Sequence, residues 1–289
     1  MQVLEDEPLA RHGYWRVGGP MDRYAVLETV EELVAVYPEI RQVLGNGSNL
    51  LAPDVGLRGL TVRLALRESE VVEEEGDRVL LRAGAGLLNT VLLSRLGRLG
   101  LAGLAPLAGV PGTVGGAVAM NAGTALGEVA EVLAAVEGVG PGGFARIDRV
   151  DMPMHYREGG LPSGFIVTAA LFRLSRAGVA AERERVAHHL ARRKATQPLD
   201  LPSCGSVFRN PPGDAAGRLI ESVGLKGWQQ GGARISERHA NFIVNLGDAT
   251  AADVMACIRM AWSTVREKTG VTLVPEVRVV GEWEEGPLG

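Results

Sequence analysis

Short segments with different hydrophobic periods alternate along the chain. Strands are predicted where apolar and polar residues alternate or β-branched residues cluster, and helices where apolar residues recur every three or four positions. The predicted strands are residues 24–28, 42–44, 60–64, 78–83, 134–139, 165–174, 241–245 and 276–280. The predicted helices are residues 30–37, 87–96, 180–195, 215–223 and 251–268, and Gly97 is expected to end the second of them. This order indicates an α+β architecture.

The main domain boundary is predicted near residues 190–200, where a charged helix meets the Pro-rich stretch 197–202. We expect residues 1–193 to form a cofactor-binding region of two subdomains that divide near residue 56. Residues 194–276 are expected to form a smaller substrate-binding α/β domain, and residues 277–289 a closing strand and tail.

A charge-free segment from Gly103 to Gly123 contains the glycine-rich run 109–123. Each glycine inside a helix costs roughly 1 kcal/mol, so an ordinary helix is not expected here. Small residues let backbone amides approach a flat or phosphate-bearing ligand. Pro111 can open a helical turn whose first N–H groups face an anion. A purely structural buried hinge is the alternative.

A second glycine-rich loop, Gly45-Asn-Gly-Ser-Asn49, follows a predicted strand. Successive N–H groups in such a turn form an anion-binding concavity. The dinucleotide fingerprint Gly-x-Gly-x-x-Gly fails because Leu50 stands at its third glycine, and it fails in the same way at residues 84–89. An ordinary tight turn is the alternative for either loop. Two phosphate-type loops together favour a dinucleotide, and FAD fits better than a mononucleotide.

Composition narrows the classes of partner. The formal net charge of −4 argues against a general nucleic-acid surface. Cys204 and Cys257 form neither a disulfide framework nor a zinc pattern, so we expect reduced thiols and no metal site. Residues 1–7 lack the apolar part of a signal peptide, and no uninterrupted apolar stretch reaches about 18 residues. We therefore expect a cytoplasmic protein without membrane insertion.

Three motifs resemble those of the UDP-N-acetylenolpyruvoylglucosamine reductase family: Arg16-Val-Gly-Gly-Pro20, Leu44–Leu51 and Ala108–Gly123. The resemblance implies a vanillyl-alcohol-oxidase-like (PCMH-type) FAD-binding fold with a smaller C-terminal α/β substrate domain. Neither glycine-rich loop contains His or Cys, so noncovalent FAD is expected. The implied FAD-binding residues are Gly45, Asn46, Gly47, Ser48, Asn49, Gly109, Val110, Pro111, Gly112, Thr113, Gly115, Gly116, Ala117, Asn121, Ala122 and Gly123.

The reaction implied by this resemblance has two halves. NADPH, the cosubstrate, reduces FAD, and hydride then passes to the vinyl group of UDP-N-acetylglucosamine enolpyruvate, giving UDP-N-acetylmuramate for peptidoglycan synthesis. The resemblance assigns Ser206 as general acid, Arg157 as the partner of the substrate carboxylate and Glu276 as the group that stabilises the enol. Without it, these residues are typical of a turn-capping serine, a surface arginine and an edge-strand carboxylate.

The family motifs also imply substrate contacts from Tyr156, Arg209 and Asn210. Gln197 stands where some members of the family carry a lysine, so it is a weaker candidate. Nearby cations at the end of helix 180–195 are alternative phosphate contacts or part of a solvated face, namely Arg192, Arg193 and Lys194. His188 and His189 are expected on the exposed side of that helix.

His239 has two interpretations: a contact with cofactor or substrate, or a residue that only orients its strand. The segment 157–206 is short, which resembles the branch of the family without a mobile Tyr-bearing loop. A monomer acting on a small UDP-sugar is expected. The competing functions are an FAD oxidase of the same fold and a nucleotide-sugar binding protein without activity.

Overall fold

The structure is a computed structural model, and it describes residues 1–284 and 286. In chain order the strands are β1 (Val3–Pro8), β2 (Pro20–Leu27), β3 (Ile40–Val43), β4 (Leu50–Leu51), β5 (Leu57–Leu64), β6 (Ser69–Glu75), β7 (Arg78–Gly84), β8 (Gly123–Thr124), β9 (Gly127–Glu128), β10 (Leu133–Gly140), β11 (Gly143–Asp148), β12 (Ile166–Ser175), β13 (Gln229–Gln230), β14 (Ala233–Ile235), β15 (Ile243–Asn245) and β16 (Arg278–Val279). The α-helices are α1 (Val30–Val36), α2 (Asn89–Leu99), α3 (Val114–Ala119), α4 (Val179–Thr196), α5 (Ala216–Ser222) and α6 (Ala251–Thr269).

The described chain forms two compact units. Unit 1 consists of Met1–Val3, Ala25–Asn46 and Thr61–Arg193, and unit 2 of Leu4–Tyr24, Gly47–Leu60 and Lys194–Gly289. Strands β2 and β5 each contribute to both units, because the division falls after Tyr24 and after Leu60. The assignment of residues 1–193 to cofactor binding and of 194–276 to substrate binding stays a prediction.

Unit 1 is built on an antiparallel sheet with the strand order β11-β10-β12-β7-β6. The central strand β12 is buried along most of its length, which explains its nearly continuous apolar sequence. Helix α3 packs on β12 through Val114, Ala117 and Val118. The glycine-rich run is thereby fixed against the middle of this sheet.

Unit 2 has its own core around helix α6. Thr250 and Asp253 form a capping box at the start of this helix, and Gly270 ends it with a φ of 73°. The apolar stripe of α6 packs against α5 and the antiparallel sheet β13-β14-β15. The predicted helix at residues 251–268 is therefore confirmed to within one residue.

Three predictions about secondary-structure elements were wrong. Helix α2 continues through Gly97 and ends at Gly100, which has a φ of 64°. The burial of Leu92 and Leu96 outweighs the local cost of one glycine. The run 109–123 contains the short helix α3, and the closing strand is reduced to two residues, β16. Of the predicted tail, residues 285 and 287–289 lie outside the described residues.

Candidate functional site

The two glycine-rich loops meet inside unit 1. A Cβ added to Gly45 would lie 3.2 Å from the Thr113 hydroxyl oxygen, so the first loop closely approaches the second. Beside this contact, Arg63 donates to the Asn46 side-chain oxygen at 2.8 Å. The predicted cofactor residues Gly45 and Thr113, more than 60 positions apart in the sequence, are therefore neighbours within unit 1. Arg63 is a neighbour that no sequence motif revealed.

The first turn of helix α3 does not face a ligand, contrary to the expectation for a turn opened by Pro111. Val114 N–H donates to Leu87 and Gly115 N–H to Ala85, each at 2.9 Å. Gly116 N–H donates to the Thr113 hydroxyl at 3.3 Å. All three helix-start donors are thus satisfied within the protein.

The backbone N–H groups that remain available to a ligand lie in the loop just before helix α3. Within the described part of the chain, the backbone N–H groups of Gly109, Gly112 and Thr113 have no acceptor. Gly109 and Gly112 are half-buried and have φ values of 73° and 132°, which suit glycine. Unpaired N–H groups in a glycine-rich turn are suited to phosphate oxygens, so this donor set fits the diphosphate of a dinucleotide.

The second half of the first loop, which belongs to unit 2, is joined to the Glu276 segment. The side-chain amide of Asn49 donates to the Glu276 carbonyl at 3.0 Å. Arg278 N–H donates to the Asn49 carbonyl at 3.1 Å, and β16 pairs in parallel with β4 immediately after the loop. The predicted catalytic carboxylate thus sits on a segment held by a predicted cofactor loop.

Ser206 and Glu276 also lie on adjacent segments in unit 2. Glu276 N–H donates at 2.8 Å to the carbonyl of Val207, the residue after Ser206. The buried Asn241 fixes the same segment. Its side-chain NH₂ group donates to the Phe208 carbonyl at 2.8 Å, and its side-chain oxygen accepts from Phe208 N–H at 3.0 Å. Ser206 and Glu276 are both half-buried. Asn241 lies in the family-like motif 236–245, but only the folded chain reveals its role.

Arg157 belongs to unit 1 and occupies a tight turn. His155 and Glu158 exchange two backbone hydrogen bonds of 2.9 Å, and Arg157 between them has a φ of 61°. Its guanidinium donates to the Gly123 carbonyl at 3.1 Å and lies 4.8 Å from the centre of the exposed Tyr156 ring. The last residue of the glycine-rich run therefore positions the predicted carboxylate-binding cation.

Asn121 connects the same run to the Arg157 turn. Its side-chain amide donates to Glu128 at 2.8 Å and to the His155 carbonyl at 3.0 Å. Its side-chain oxygen accepts from Ala130 N–H at 3.0 Å, and the residue is 1% exposed. These contacts occupy the side chain, so a cofactor contact from Asn121 would have to come from its backbone.

The predicted substrate residues of unit 2 differ in their surroundings. Asn210 is exposed, and its side-chain oxygen accepts from Ala216 N–H at 3.1 Å. Arg209 is half-buried and donates from its backbone to Val274 at 2.8 Å. The Gln197 carbonyl accepts from Arg238. None of these contacts uses the side chain of Gln197.

His239 has contacts on both sides of its ring. Its Nδ1 accepts from Asn241 N–H at 3.3 Å, and the ring lies 4.8 Å from the ring of Phe242. A Cβ on Gly217 would come within 3.2 Å of the same imidazole. These contacts hold the ring of His239 against its own strand, and with Nδ1 as acceptor the proton of a neutral ring lies on Nε2.

Both cysteine thiols are buried. Burial raises the pKa values of Cys204 and Cys257 to about 12, so both remain protonated near neutral pH. The described residues contain no group of three His, Cys, Asp or Glu that could hold a metal ion. Within the same residues, no helix is both long and apolar enough to cross a membrane.

Comparison with known proteins identifies the family. Residues 21–145 match the model of an FAD binding domain, and residues 197–280 match the C-terminal domain of UDP-N-acetylenolpyruvoylglucosamine reductase. The reductase of Moorella thermoacetica is 45% identical, with 98% of this chain and 94% of that protein covered. The reductase of Anaeromyxobacter sp. (strain Fw109-5) is 44% identical, with 99% of this chain and 91% of that protein covered. The chain belongs to the UDP-N-acetylenolpyruvoylglucosamine reductase family.

A solved structure supports the same assignment. The reductase from Thermus caldophilus superimposes with a TM-score of 0.84 at 39% identity, covering 96% of this chain and 98% of that one. The predicted α+β fold, with an FAD-binding domain and a smaller C-terminal domain, is confirmed. FAD is the cofactor of this chain, which is an oxidoreductase of peptidoglycan synthesis. The unpaired N–H donors of the second loop fit that cofactor.

Proposed function

We propose that this protein reduces UDP-N-acetylglucosamine enolpyruvate to UDP-N-acetylmuramate with NADPH as the electron donor. The proposal rests on the adjacency of Ser206 and Glu276 on segments joined by a hydrogen bond of 2.8 Å, with Asn49 of a cofactor loop bonded to the Glu276 carbonyl. FAD, when bound, supplies the hydride chemistry. The residues of the chain must bind the substrate, stabilise developing charge and deliver one proton.

Ser206 is the proposed proton donor. After hydride addition to one vinyl carbon, negative charge spreads over the neighbouring carbon and the carboxylate. An enolate of this kind is basic enough to take a proton from an alcohol, which is a weak acid. The half-buried position of Ser206 and the rigid Asn241–Phe208 contact beside it support this role, because they fix the hydroxyl on a well-held segment.

Charge stabilisation is assigned to Arg157 and Glu276. A planar guanidinium suits a carboxylate better than an ammonium group does. The Gly123 carbonyl and the Tyr156 ring hold the Arg157 guanidinium in one orientation. Glu276 is proposed to stabilise the enol, and its main chain is fixed at both ends by Val207 and Asn49.

The other predicted site residues are assigned to the substrate or to FAD. Tyr156, Arg209, Asn210, Gln197 and His239 are proposed to bind the UDP-sugar, and the residues of the two glycine-rich loops that the family resemblance implies are proposed to bind FAD. Residues 1–193 serve mainly the cofactor and 194–276 the substrate. We propose a cytoplasmic monomer that needs no nucleic acid partner. The short segment between residues 157 and 206 supports membership of the branch without a Tyr-bearing loop.

Anaerobic flavin absorbance tests the proposal directly. NADPH should bleach the flavin band of the purified protein, and UDP-N-acetylglucosamine enolpyruvate should then restore it stoichiometrically. Restoration by oxygen alone would support the competing FAD oxidase. A protein that stays colourless after addition of FAD would contradict the cofactor assignment as well as the activity.

A further inference from the structure

Helix α4 meets the second glycine-rich loop through a face that carries both apolar and charged residues. Within the described residues its least exposed positions are spaced at helical intervals, Val179, Glu182, Val186, His189 and Arg193. The Glu182 carboxylate accepts from Gly103 N–H at 3.0 and 2.9 Å. The helix thus holds the segment leading into the loop through the charged side chain of Glu182.

His189 continues this contact and was wrongly expected on the exposed side of the helix. It is half-buried, and within the described residues its buried Nε2 has no hydrogen-bond partner. Burial, with a contribution from the neighbouring Arg193 and Arg192 charges, lowers the pKa of His189. A neutral His189 adds no charge beside the loop at neutral pH, so the nearest cation on this face is Arg193.

The Arg193 side chain packs directly on Gly109. A Cβ on Gly109 would lie 2.8 Å from Arg193 Nε, 3.0 Å from Leu190 Cδ2 and 3.1 Å from Arg193 Cδ, so a larger residue at this φ of 73° would be strained and would displace the Arg193 side chain. Burial lowers the pKa of Arg193, and no carboxylate offsets that effect. Among the described residues, Arg193 forms no ion pair or hydrogen bond.

A half-buried cation without an acidic partner is costly unless an anion joins it. The same loop offers the unpaired N–H groups of Gly109, Gly112 and Thr113. Several donors and one guanidinium at one loop are the arrangement that phosphate oxygens favour.

We propose that Arg193 binds the diphosphate of FAD at the Gly109 end of the second loop. This assigns Arg193 to the cofactor rather than to the phosphates of the UDP-sugar. The inference rests on the proposed role of the loop residues, but it does not depend on the substrate that the enzyme reduces.

The test is the affinity of the full-length chain for FAD after replacement of Arg193. Loss of a charge-assisted contact in Arg193→Gln should raise the Kd for FAD roughly 10- to 100-fold, and Arg193→Lys should recover part of this loss. The exposed Arg185 on the same helix supplies the matched control Arg185→Gln, for which an unchanged Kd is expected. Each variant should melt like the parent when free of flavin, which excludes a folding defect.

Two further readouts separate the alternatives. At saturating FAD, Arg193→Gln should keep the parent KM for the UDP-sugar and the parent reduction potential of the flavin. A raised KM with an unchanged Kd for FAD would place Arg193 at the substrate and overturn the inference. A shifted flavin potential would place it at the isoalloxazine ring, with the same consequence. Absence of activity toward the UDP-sugar in the parent would refute the proposed function while leaving the comparison of Kd values valid.

Discussion

The side chain of Asn49 donates to the main-chain carbonyl of Glu276 at 3.0 Å. This bond joins a predicted cofactor residue to a predicted catalytic residue separated by 227 positions. It belongs to a short parallel pairing in which Arg278 is opposite Leu50. A change in the cofactor loop should therefore also move Glu276 and affect protonation of the substrate.

Replacement of Asn49 tests that coupling. Asn49→Ala should lower the free energy of unfolding by about 1 kcal/mol, the usual net value of a hydrogen bond. It should also slow flavin reoxidation by the enolpyruvyl substrate roughly 10- to 100-fold, because even a small displacement of Glu276 from its position beside the substrate lowers the reaction rate by this much. Stopped-flow absorbance at saturating FAD measures that step. If Asn49→Ala weakens FAD binding alone, the bond to Glu276 has no role in the reaction.

Ser206→Ala should separate the two half-reactions. Flavin bleaching by NADPH should proceed as in the parent, whereas reoxidation by UDP-N-acetylglucosamine enolpyruvate should slow by roughly 10²–10⁴. Ser222→Ala is the matched control, because the Ser222 hydroxyl only donates to the Leu219 carbonyl on helix α5. Equal reoxidation rates in both variants would make Ser206 a structural residue.

Alanine at three glycines should distinguish crowding from backbone strain. Gly47 has a φ of 62°, and a Cβ there would lie 2.2 Å from the His12 carbonyl oxygen. Gly213 has a φ of 76° and an open surrounding, so Gly213→Ala should cost only about 1–2 kcal/mol of backbone strain.

Gly45 is the intermediate case, because a Cβ added there would lie 3.2 Å from the Thr113 hydroxyl oxygen and its φ is not positive. Thermal unfolding should therefore give the largest loss for Gly47→Ala, while Gly45→Ala should mainly weaken FAD binding. A melting temperature of Gly47→Ala equal to that of Gly213→Ala would contradict the close approach to His12.

Asn121 should control substrate binding through the Arg157 turn. Asn121→Asp keeps the acceptor for Ala130 N–H but loses the donor to His155 and places a second carboxylate beside Glu128. We expect a raised KM for the UDP-sugar at saturating FAD, because the turn that carries Arg157 loosens. Adding Glu128→Gln should remove the like-charge repulsion and recover part of the KM. A variant that retains the parent KM would show that the turn is held by its own hydrogen bonds.

The buried thiols predict a stability loss at alkaline pH. The pKa values of Cys204 and Cys257 rise from 9.0 to about 12 in the folded protein. Above pH 9 the unfolded chain therefore loses protons that the folded chain keeps, so stability falls as the pH rises toward 12. The expected slope is about 1.4 kcal/mol per pH unit for each thiol.

Chemical denaturation between pH 8 and 11 would measure this slope, and Cys204→Ala should reduce it. Alkylation by iodoacetamide at pH 8 should be slow until the protein unfolds. Rapid alkylation of either thiol in the native protein would contradict its burial.

Residue type and spacing alone were enough to predict most secondary-structure elements and the family. The capped helix α6 and the apolar strand β12 followed from residue type and spacing, because hydrophobic periods report which face is buried. The glycine-rich loops were evident for the same local reason, since only small residues without charge permit close approach of a backbone. The family motifs then singled out Ser206, Arg157 and Glu276 as candidates.

Only the tertiary structure decided how those loops use their hydrogen-bonding groups. The first turn of α3 bonds to Ala85 and Leu87, and the side chain of Asn121 is occupied by three internal partners. Arg193 looked like part of a solvated helix face, because nothing local indicates that the face packs on Gly109. A donor or a charge is available to a ligand only when no distant segment has already paired with it, and that pairing depends on how the chain folds.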